Sequence, residues 1–437
     1  MAPHSDAPGE PGSARTSTAP AYPGLSRADL AILVPELLLS GQMIDRSGMA
    51  HLIGAFGRDT MTRIAIEEWM AASPVYTSRM RAALGIDGDG VADMFKCLQL
   101  DIGAPPQFMD FRYEVTDHDH GAFVLNHCGA LMDVEPLGDE YVTAMCHDIE
   151  DPTFDATAIA TNRRARIRPI HRPPRRPADR HPHCAWTVTI DPAREELPLP
   201  AGAELMFGTR AAQATLSPID PDAADGHSDY RGPLVADLDF AEWSRSALIR
   251  IAEEVALQHH LLALGFRLGL ARRAQDGAQR DGIFRKQLIG IAGLTAGRLR
   301  RALGVASDAD GLARVLAVHP VLGPVQYTGV TVEASPDAVR VRIPATSDAM
   351  RDDGWLALLD VDHTEPLQAI ATAVDPRWSV SDVRDYGAGL QVWVTHADTP
   401  LTESDEVAIA RVSSGSTFDF EPRRPIPITP TGTGTGT

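Results

Sequence analysis

The stretch Arg79-Met-Arg-Ala-Ala-Leu-Gly-Ile86 returns 219 positions later as Arg298-Leu-Arg-Arg-Ala-Leu-Gly-Val305. At the same offset Gln107-Phe matches Gln326-Tyr before a predicted strand. Two looser matches keep the same order: Ala158-Ile-Ala-Thr with Ala369-Ile-Ala-Thr, and Trp186-Thr-Val-Thr with Trp393-Val-Thr-His. Because order and approximate distance are conserved between the halves, the sequence predicts a tandem duplication. The alternative is that helix–glycine–strand units resemble one another by chance.

Around this repeat, helix signals dominate residues 26–100 and 240–303, and strand signals follow each helical region. The sequence therefore predicts an α+β fold of two tandem, degenerate repeats, each a helical lead-in followed by a mainly antiparallel sheet. The predicted strands are 108–115, 122–125, 141–147, 159–170 and 185–190 in the first half, and 325–332, 339–343, 356–361, 369–374 and 390–394 in the second.

Composition shifts define the predicted domain boundaries. The first α+β unit covers residues 25–200 and carries the Cys/His-rich region, and the second, degenerate unit covers 235–400. The predicted linker, 201–234, is rich in Pro, Asp and Ala. The prediction includes a disordered tail over 1–24 and, over 401–437, a C-terminal segment ending in a disordered Gly/Thr tail, because these compositions have little to bury.

Charge and cysteine usage limit the classes of function. A formal net charge of −19 argues against general nucleic-acid binding, which needs a basic surface. Four cysteines without paired spacing in 437 residues indicate a reducing cytoplasm. We find no signal-peptide pattern, and the apolar stretch 30–39 is too short to span a bilayer, so we expect a soluble protein without a membrane partner. A homodimer is compatible with the sequence.

Residues 118–186 hold seven of the fifteen histidines and three of the four cysteines. Thiol and imidazole groups bind borderline transition metals, and adjacent residues on a strand face opposite ways. Each adjacent His/Cys pair would then supply one ligand, which predicts zinc or non-haem iron bound by His127 (or Cys128), Cys146, His171 and Cys184 (or His183). The alternative is that the cysteines are small apolar core residues. All four cysteines precede the second copy, so such a site belongs to the first half.

Acidic residues follow Cys146 directly. Asp148 or Glu150 would transfer protons as a general base beside a metal-bound or thiol-bound substrate. The alternative is a solvated acidic turn ended by Pro152. A further interpretation makes Cys146 a thiolate nucleophile paired with His171 or His183.

Eight arginines lie within eighteen residues, from Arg163 to Arg180. Guanidinium groups bind carboxylate or phosphate with two hydrogen bonds, so Arg166 and Arg168 are predicted to hold a small anionic substrate such as a carboxylic acid or an acyl-thioester. The alternative is that these arginines pair with the many carboxylates of the chain, or lie in an exposed, proline-rich loop.

A helical lead-in ending in Arg-x-x-x-Ala-Leu-Gly at Gly85, the triplet Cys146-His-Asp and a closing strand with Cys184 resemble the L-2-amino-thiazoline-4-carboxylic acid hydrolase-like group. The layout is more remotely similar to the 4-vinyl-reductase-type small-molecule-binding domain of phenol-sensing regulators. The resemblance covers about residues 60–190. It implies an α/β unit with a cysteine-bearing or metal-stabilised ligand pocket, with Cys146, His171 and Cys184 at the zinc positions. His171 replaces a cysteine, and residues 181–183 replace a glycine-rich turn.

Together these patterns predict a cytoplasmic, metal-binding, hydrolase-like enzyme acting on a small anionic metabolite. Two other functions stay open. One is a non-catalytic small-molecule-binding or accessory protein with a structural zinc site, and the other is a metal-free scaffold whose cysteines belong to the core.

Overall fold

The structure is a computed structural model that describes residues 17–430. Its first half consists of β1 (Ser17–Thr18), α1 (Arg27–Phe56), α2 (Arg58–Leu84), α3 (Val91–Leu98), β2 (Met109–Val115), β3 (His120–Cys128), α4 (Gly129–Val134), α5 (Asp139–Thr143), α6 (Glu150–Ile159), β4 (Ala165–His171), β5 (Cys184–Ile190), α7 (Ala201–Phe207) and α8 (Arg210–Gln213). Its second half consists of α9 (Arg245–Ala271), α10 (Gly277–Ala302), α11 (Ala309–Val318), α12 (Val325–Thr328), β6 (Thr331–Ser335), β7 (Ala338–Pro344), α13 (Asp348–Arg351), α14 (Glu365–Val374), β8 (Trp378–Asp385), β9 (Gly389–His396) and α15 (Asp405–Ala410).

The two halves share one topology, and the predicted α+β class is confirmed. The first sheet has the antiparallel order β2-β3-β5-β4. The second has the order β1-β6-β7-β9-β8, in which the last four strands repeat the order of the first sheet. The helices α2 and α10 begin 219 positions apart, at the offset of the repeated stretch. This agreement is what the tandem-repeat prediction expects.

Strand register corrects one of the sequence matches. Ala122 pairs with Glu114 and with Thr187 on β5. Arg340 pairs with Glu333, which lies 219 positions after Glu114, and with Trp393 on β9, so Ala122 and Arg340 occupy equivalent positions. Trp393 therefore takes the place of Thr187, one residue away from Trp186. Because neighbouring strand residues face opposite ways, Trp186 is fully buried, whereas Trp393 lies on the outer face under the guanidinium of Arg384.

The long helices join the halves into one core. Helix α1 packs along α10, and α9 packs along α2, so the first helix of each half lies against the second helix of the other. The predicted linker is part of this packing. Helix α7 lies against α2, and the backbone N–H groups of Arg210 and Ala211 donate to the Asp352 carboxylate at 3.0 and 2.9 Å.

Two predicted strands are helices. Residues 141–147 fall within α5 and a π-helical turn (Ala144–Ile149), and residues 369–374 lie within α14. In the first case the buried residues recur at helical spacing, namely Val142, Met145, Cys146 and Ile149. A short apolar run does not separate a strand from a buried helix by periodicity alone. Residues 356–361 form no strand either, the predicted strands 159–170 and 325–332 begin only at Ala165 and Thr331, and strand β8 was missed.

Parts of the predicted tails are packed. Strand β1 pairs with β6, and the buried Tyr22 donates its hydroxyl to the Val318 carbonyl at 3.2 Å. Near the other end, Ile428 N–H donates to the Leu234 carbonyl at 2.8 Å. The remainder of the predicted tails, 1–16 and 431–437, lies outside the described residues. None of the helices in residues 17–430 combines the length and apolar composition that crossing a bilayer requires.

Candidate functional site

The three cysteines considered as metal ligands lie together in the core of the first half. Cys128, Cys146 and Cys184 are all buried. The Cys128 sulfur accepts the N–H of Leu131 at 3.3 Å and contacts the sulfur of Met109 at 3.6 Å. Burial raises the pKa of Cys128 to about 12 and raises the pKa values of Cys146 and Cys184 well above the usual range. The thiolate is the reactive form of cysteine, and the raised pKa values disfavour it. We therefore interpret these three cysteines as small apolar core residues.

The predicted ligands His127 and His171 and the alternative ligand His183 lie at one end of the first sheet. The rings of His127 and His183 have centroids 5.9 Å apart. Burial lowers the pKa of His183 to about 4 and also lowers the pKa values of His127 and His171. Within residues 17–430 no three His, Cys, Asp or Glu side chains are arranged to hold a metal ion. The strand argument for the ligand set was wrong at Cys146, which lies in the π-helical turn. The zinc or non-haem iron site stays a prediction.

The arginines predicted to hold an anion are engaged elsewhere. The Arg166 guanidinium donates to the carbonyls of Arg163, Ala165 and Glu195, and Arg168 forms an ion pair with Asp155 at 2.9 Å. Further arginines of this segment pair with carboxylates in the same way: Arg164 with Glu196, Arg172 with Asp151, Arg175 with Glu135 and Arg176 with Asp139. The segment therefore corresponds to the alternative of arginines paired with the chain's own acids.

The two predicted acids separate. Asp148 is exposed on the outer side of its helical turn, whereas Glu150 faces a cavity of about 80 Å³. This cavity lies between α1, α2, α6 and the turn at 101–104, and we call it the carboxyl cavity. Its lining residues are Gln42, Asp45, Trp69, Tyr76, Leu98, Asp101, Gly103, Ala104, Met109, Ala130, Met145, Ile149, Glu150, Thr153, Phe154 and Thr157.

Asp45 and Trp69 form one wall of the carboxyl cavity. Trp69 Nε1 donates to Asp45 Oδ2 at 2.7 Å. Behind this pair lies Glu68, which is only 1% exposed. Burial raises the pKa of Glu68 well above its usual range, and the neighbouring Asp45 carboxylate raises it further. Two close carboxyls do not ionise together readily, so the protonated form of Glu68 is favoured beside Asp45.

Asp101 forms the opposite wall. The Tyr76 hydroxyl donates to Asp101 Oδ1 at 2.8 Å, and the Gly103 N–H donates to the same oxygen at 2.6 Å. Burial raises the pKa of Asp101 to about 6, so this group is mainly ionised at pH 7. A Cβ atom at Gly103 would lie 3.1 Å from both Asp101 Oδ1 and the Trp69 ring, so glycine keeps the space between them open.

Two polar side chains face the cavity with an unused acceptor. Burial raises the pKa of Glu150 to about 8, against the opposing charge of Arg172. Within residues 17–430 its Oε2 atom has no hydrogen-bond partner, and neither has Oε1 of Gln42, a residue that is 5% exposed. Buried polar atoms are rarely left unpaired, because each unmade hydrogen bond costs about 1–3 kcal/mol.

The second half lacks these acids. At the repeat offset of 219, Gln287 corresponds to Glu68, Leu288 to Trp69 and Pro320 to Asp101. Matching the helix N-caps Ser26 and Ser244 places Ala263 opposite Asp45. The fully buried Trp355 packs there instead, with its Nε1 at 3.4 Å from Gln287 Oε1. The second half therefore folds without counterparts of Glu68, Asp101 and Asp45, which distinguishes the carboxyl cavity from the matching region of the second half.

Comparison with protein-family models, with curated proteins and with solved structures gives no match to this chain.

Sequence reasoning missed Gln42, Asp45, Trp69 and Asp101, because they lie outside the Cys/His-rich region. The repeat itself held a signal for two of the acids in this region. The residues found 219 positions after Glu68 and Asp101 are uncharged, whereas Arg79 has an arginine, Arg298, at the matching position. The same comparison singled out the cysteines, which prove to be core residues.

Proposed function

We propose that this protein binds a small molecule in the carboxyl cavity. The observation that carries the proposal is the pair of unpartnered buried acceptors on Gln42 and Glu150, which face a space lined by apolar side chains. Cavities with apolar walls and a few convergent polar groups are the usual form of a ligand site. The acids are dispensable to the fold, as the second half indicates, and this supports a role in binding.

This proposal is a form of the non-catalytic alternative predicted from the sequence, moved to other residues. The structural zinc of that alternative stays a prediction. The cytoplasm remains our proposed location, supported by four cysteines that are all free. The net charge of −19 supports the proposal that nucleic acid is not a partner, and a homodimer is likewise still a proposal.

A hydrolase-like enzyme is the second candidate, and Glu150 favours it. A carboxyl group with a pKa of about 8 that faces a cavity suits a general acid at neutral pH. Under this candidate Glu150→Gln loses turnover but still binds the substrate. Under the binding proposal the wild-type protein leaves its ligand chemically unchanged, which mass spectrometry of the recovered ligand would establish.

The binding proposal is tested by blocking the cavity. Thr153 lines it from α6 and is partly exposed, so Thr153→Trp places an indole in the opening. Thr372→Trp is the matched control, because Thr372 is a partly exposed helical threonine of the second half. We would measure thermal shifts of the full chain against a library of small cations, neutral compounds and anions.

Compounds that raise the melting temperature of the wild type and of Thr372→Trp, but not of Thr153→Trp, are the expected result. If the library stabilises no form of the protein, or stabilises Thr153→Trp as much as the wild type, the carboxyl cavity is not the binding site.

A further inference from the structure

The polar atoms that the carboxyl cavity leaves unpaired are hydrogen-bond acceptors. Gln42 Oε1 and Glu150 Oε2 both lack a donor among residues 17–430. The indole N–H of Trp69 and the hydroxyl of Tyr76 also line the cavity, but they already donate to Asp45 and Asp101. An occupant that pairs both Gln42 Oε1 and the ionised form of Glu150 must therefore bring donors of its own and displace the Glu150 proton.

The charges of the residues that line the cavity also favour a ligand that donates hydrogen bonds. Asp45, Asp101 and Glu150 line the cavity, and none of the lining residues drawn from the described chain is basic. The nearest guanidinium groups, Arg46 and Arg172, form ion pairs with Asp133 and Asp151, and neither of them lines the cavity, although Arg46 Nε and Nη2 make no hydrogen bond within residues 17–430. An anion entering here would meet the ionised Asp101 in a poorly solvated space, whereas a cation would offset that charge.

Aromatic and apolar side chains complete the walls. Trp69, Tyr76 and Phe154 present rings to the cavity, and ring faces attract ammonium groups. The remaining surface is contributed by Leu98, Ala104, Met109, Ala130, Met145 and Ile149. Such a surface favours an alkyl group over a hydrated metal ion, which would keep several waters.

Size and access limit the ligand further. The cavity measures about 80 Å³, and since one water takes about 30 Å³ of liquid, its enclosed part holds roughly three non-hydrogen atoms. Gly103, Glu150, Thr153, Phe154 and Thr157 are its partly exposed members, so the opening lies on the α6 side. A longer ligand would extend to solvent past the two threonines.

We propose that the carboxyl cavity binds a small alkylammonium ion, with the ammonium group between Asp101, Gln42 and Glu150 and the alkyl group among the apolar walls. This inference rests on the proposed function and names its ligand class. It differs from the anionic metabolite that the arginine-rich segment predicted.

The test is isothermal titration calorimetry of the full chain at pH 7 with n-butylamine, 1-butanol and propionate. The three probes have equal numbers of non-hydrogen atoms and differ in charge. Hydrogen bonds to charged groups are worth about 1.5–3 kcal/mol, so butylammonium should bind at least about tenfold more tightly than 1-butanol. Propionate should give no heat of binding.

Three variants locate the site. Asp101→Asn and Gly103→Ala should each weaken butylammonium binding about tenfold, the first by removing charge and the second by filling the space beside Trp69. Glu140→Gln removes an exposed carboxylate of α5 and should leave the affinity unchanged. Circular dichroism of each variant shows whether the fold is retained, and a variant that fails to fold is replaced by Gln42→Leu, which removes the acceptor alone.

The outcomes separate the two proposals. Equal binding of butylammonium and 1-butanol, both lost in Thr153→Trp, would overturn the alkylammonium inference and leave the binding site in place. Preference for propionate would also overturn it and would favour the predicted anionic ligand. A different result would be that none of the three probes binds, whereas a library compound binds to the wild type but not to Thr153→Trp. In that case the proposed ligand class is wrong. If nothing binds, the proposed function itself fails.

Discussion

Arg79 and Arg298, the first residues of the two copies of the repeated stretch, each bind the first helix of the opposite half. Arg79 Nε donates to Glu254 Oε2 at 2.8 Å, and Arg298 Nε donates to Glu36 Oε2 at 2.7 Å. The remaining N–H groups of each guanidinium reach two backbone carbonyls: Ala212 and Ala214 for Arg79, and Gly415 and Phe418 for Arg298. In both copies of the repeated stretch, therefore, the first arginine binds the opposite half of the protein.

Removing either arginine should destabilise the whole protein. Arg298 is buried, so Arg298→Ala leaves Glu36 uncompensated and two carbonyls unpaired, and breaking a buried pair in this way costs about 3–5 kcal/mol. Arg168→Ala is the matched control, because the Arg168 side chain is 53% exposed and an ion pair that solvent reaches in this way is worth about 0–1 kcal/mol. Urea unfolding at pH 7 gives both values. Similar small losses for the two variants would contradict the assigned role of Arg298.

The buried Glu150 should make stability fall as pH rises. Its pKa is about 8 in the folded state against an ordinary 4.5, so between these values the folded protein holds a proton that the unfolded chain releases. The free energy of unfolding then decreases by up to about 1.4 kcal/mol per pH unit from this group alone. Glu150→Gln removes that slope.

Thermal unfolding of wild type and Glu150→Gln from pH 5 to 8.5 provides the measurement. The variant should match the wild type near pH 5 and exceed it near pH 8. Parallel pH profiles for the two proteins would show that Glu150 titrates normally, in contact with water.

Cation binding should release a proton at pH 7. Glu150 is then mostly protonated, and an ammonium ion beside it stabilises the carboxylate, whose other charged neighbours are Arg172 and Asp151. The affinity for butylammonium should consequently rise between pH 6 and pH 8. Calorimetry in phosphate and in HEPES buffer, neither of which contains a primary ammonium group, should give enthalpies that differ by up to one buffer ionisation for the wild type and by almost none for Glu150→Gln. Identical enthalpies for the wild type would place Glu150 outside the binding event.

Metal analysis separates the cavity from the predicted metal site. Within residues 17–430 the four predicted ligands do not form a metal-binding group, and burial raises the pKa values of the Cys146 and Cys184 thiols. If these cysteines serve only as core residues, elemental mass spectrometry of untagged protein gives no stoichiometric zinc or iron, with or without Cys146→Ser and Cys184→Ser. About one equivalent in the wild type, lost in the doubly substituted protein while the fold survives, would instead establish the predicted site.

Much of the fold could be predicted from local sequence. The N-cap Ser26 accepts the N–H of Asp29, Gly85 ends α2 in the left-handed conformation, and the strands β3, β5, β7 and β9 lie within a few residues of their predicted bounds. The repeat located the correspondence between α2 and α10 without any structure. These features depend on neighbours in the chain or on exact recurrence, both of which a single sequence displays.

The candidate site could not be predicted in the same way. Of the residues predicted for catalysis and substrate binding, Glu150 lines the carboxyl cavity, while Asp148, Arg166 and Arg168 face solvent or the chain's own acceptors and carboxylates. The difference between Asp148 and Glu150 follows from which side of the helical turn each occupies. The prediction of a strand over 141–147 could not indicate which side of the helical turn each acid occupies.

The sequence by itself determined the α+β class, the paired topology of the halves and the loss of acids and cysteines from the second copy, because each is a matter of local pattern or of comparison along the chain. The tertiary structure alone decided that the cysteines are core, that the arginines are paired, and that Asp45, Asp101 and Glu150 share a cavity. Burial and long-range proximity set the pKa values and free hydrogen-bonding capacity of these groups. Both arise only when α1, α2 and α6 pack together.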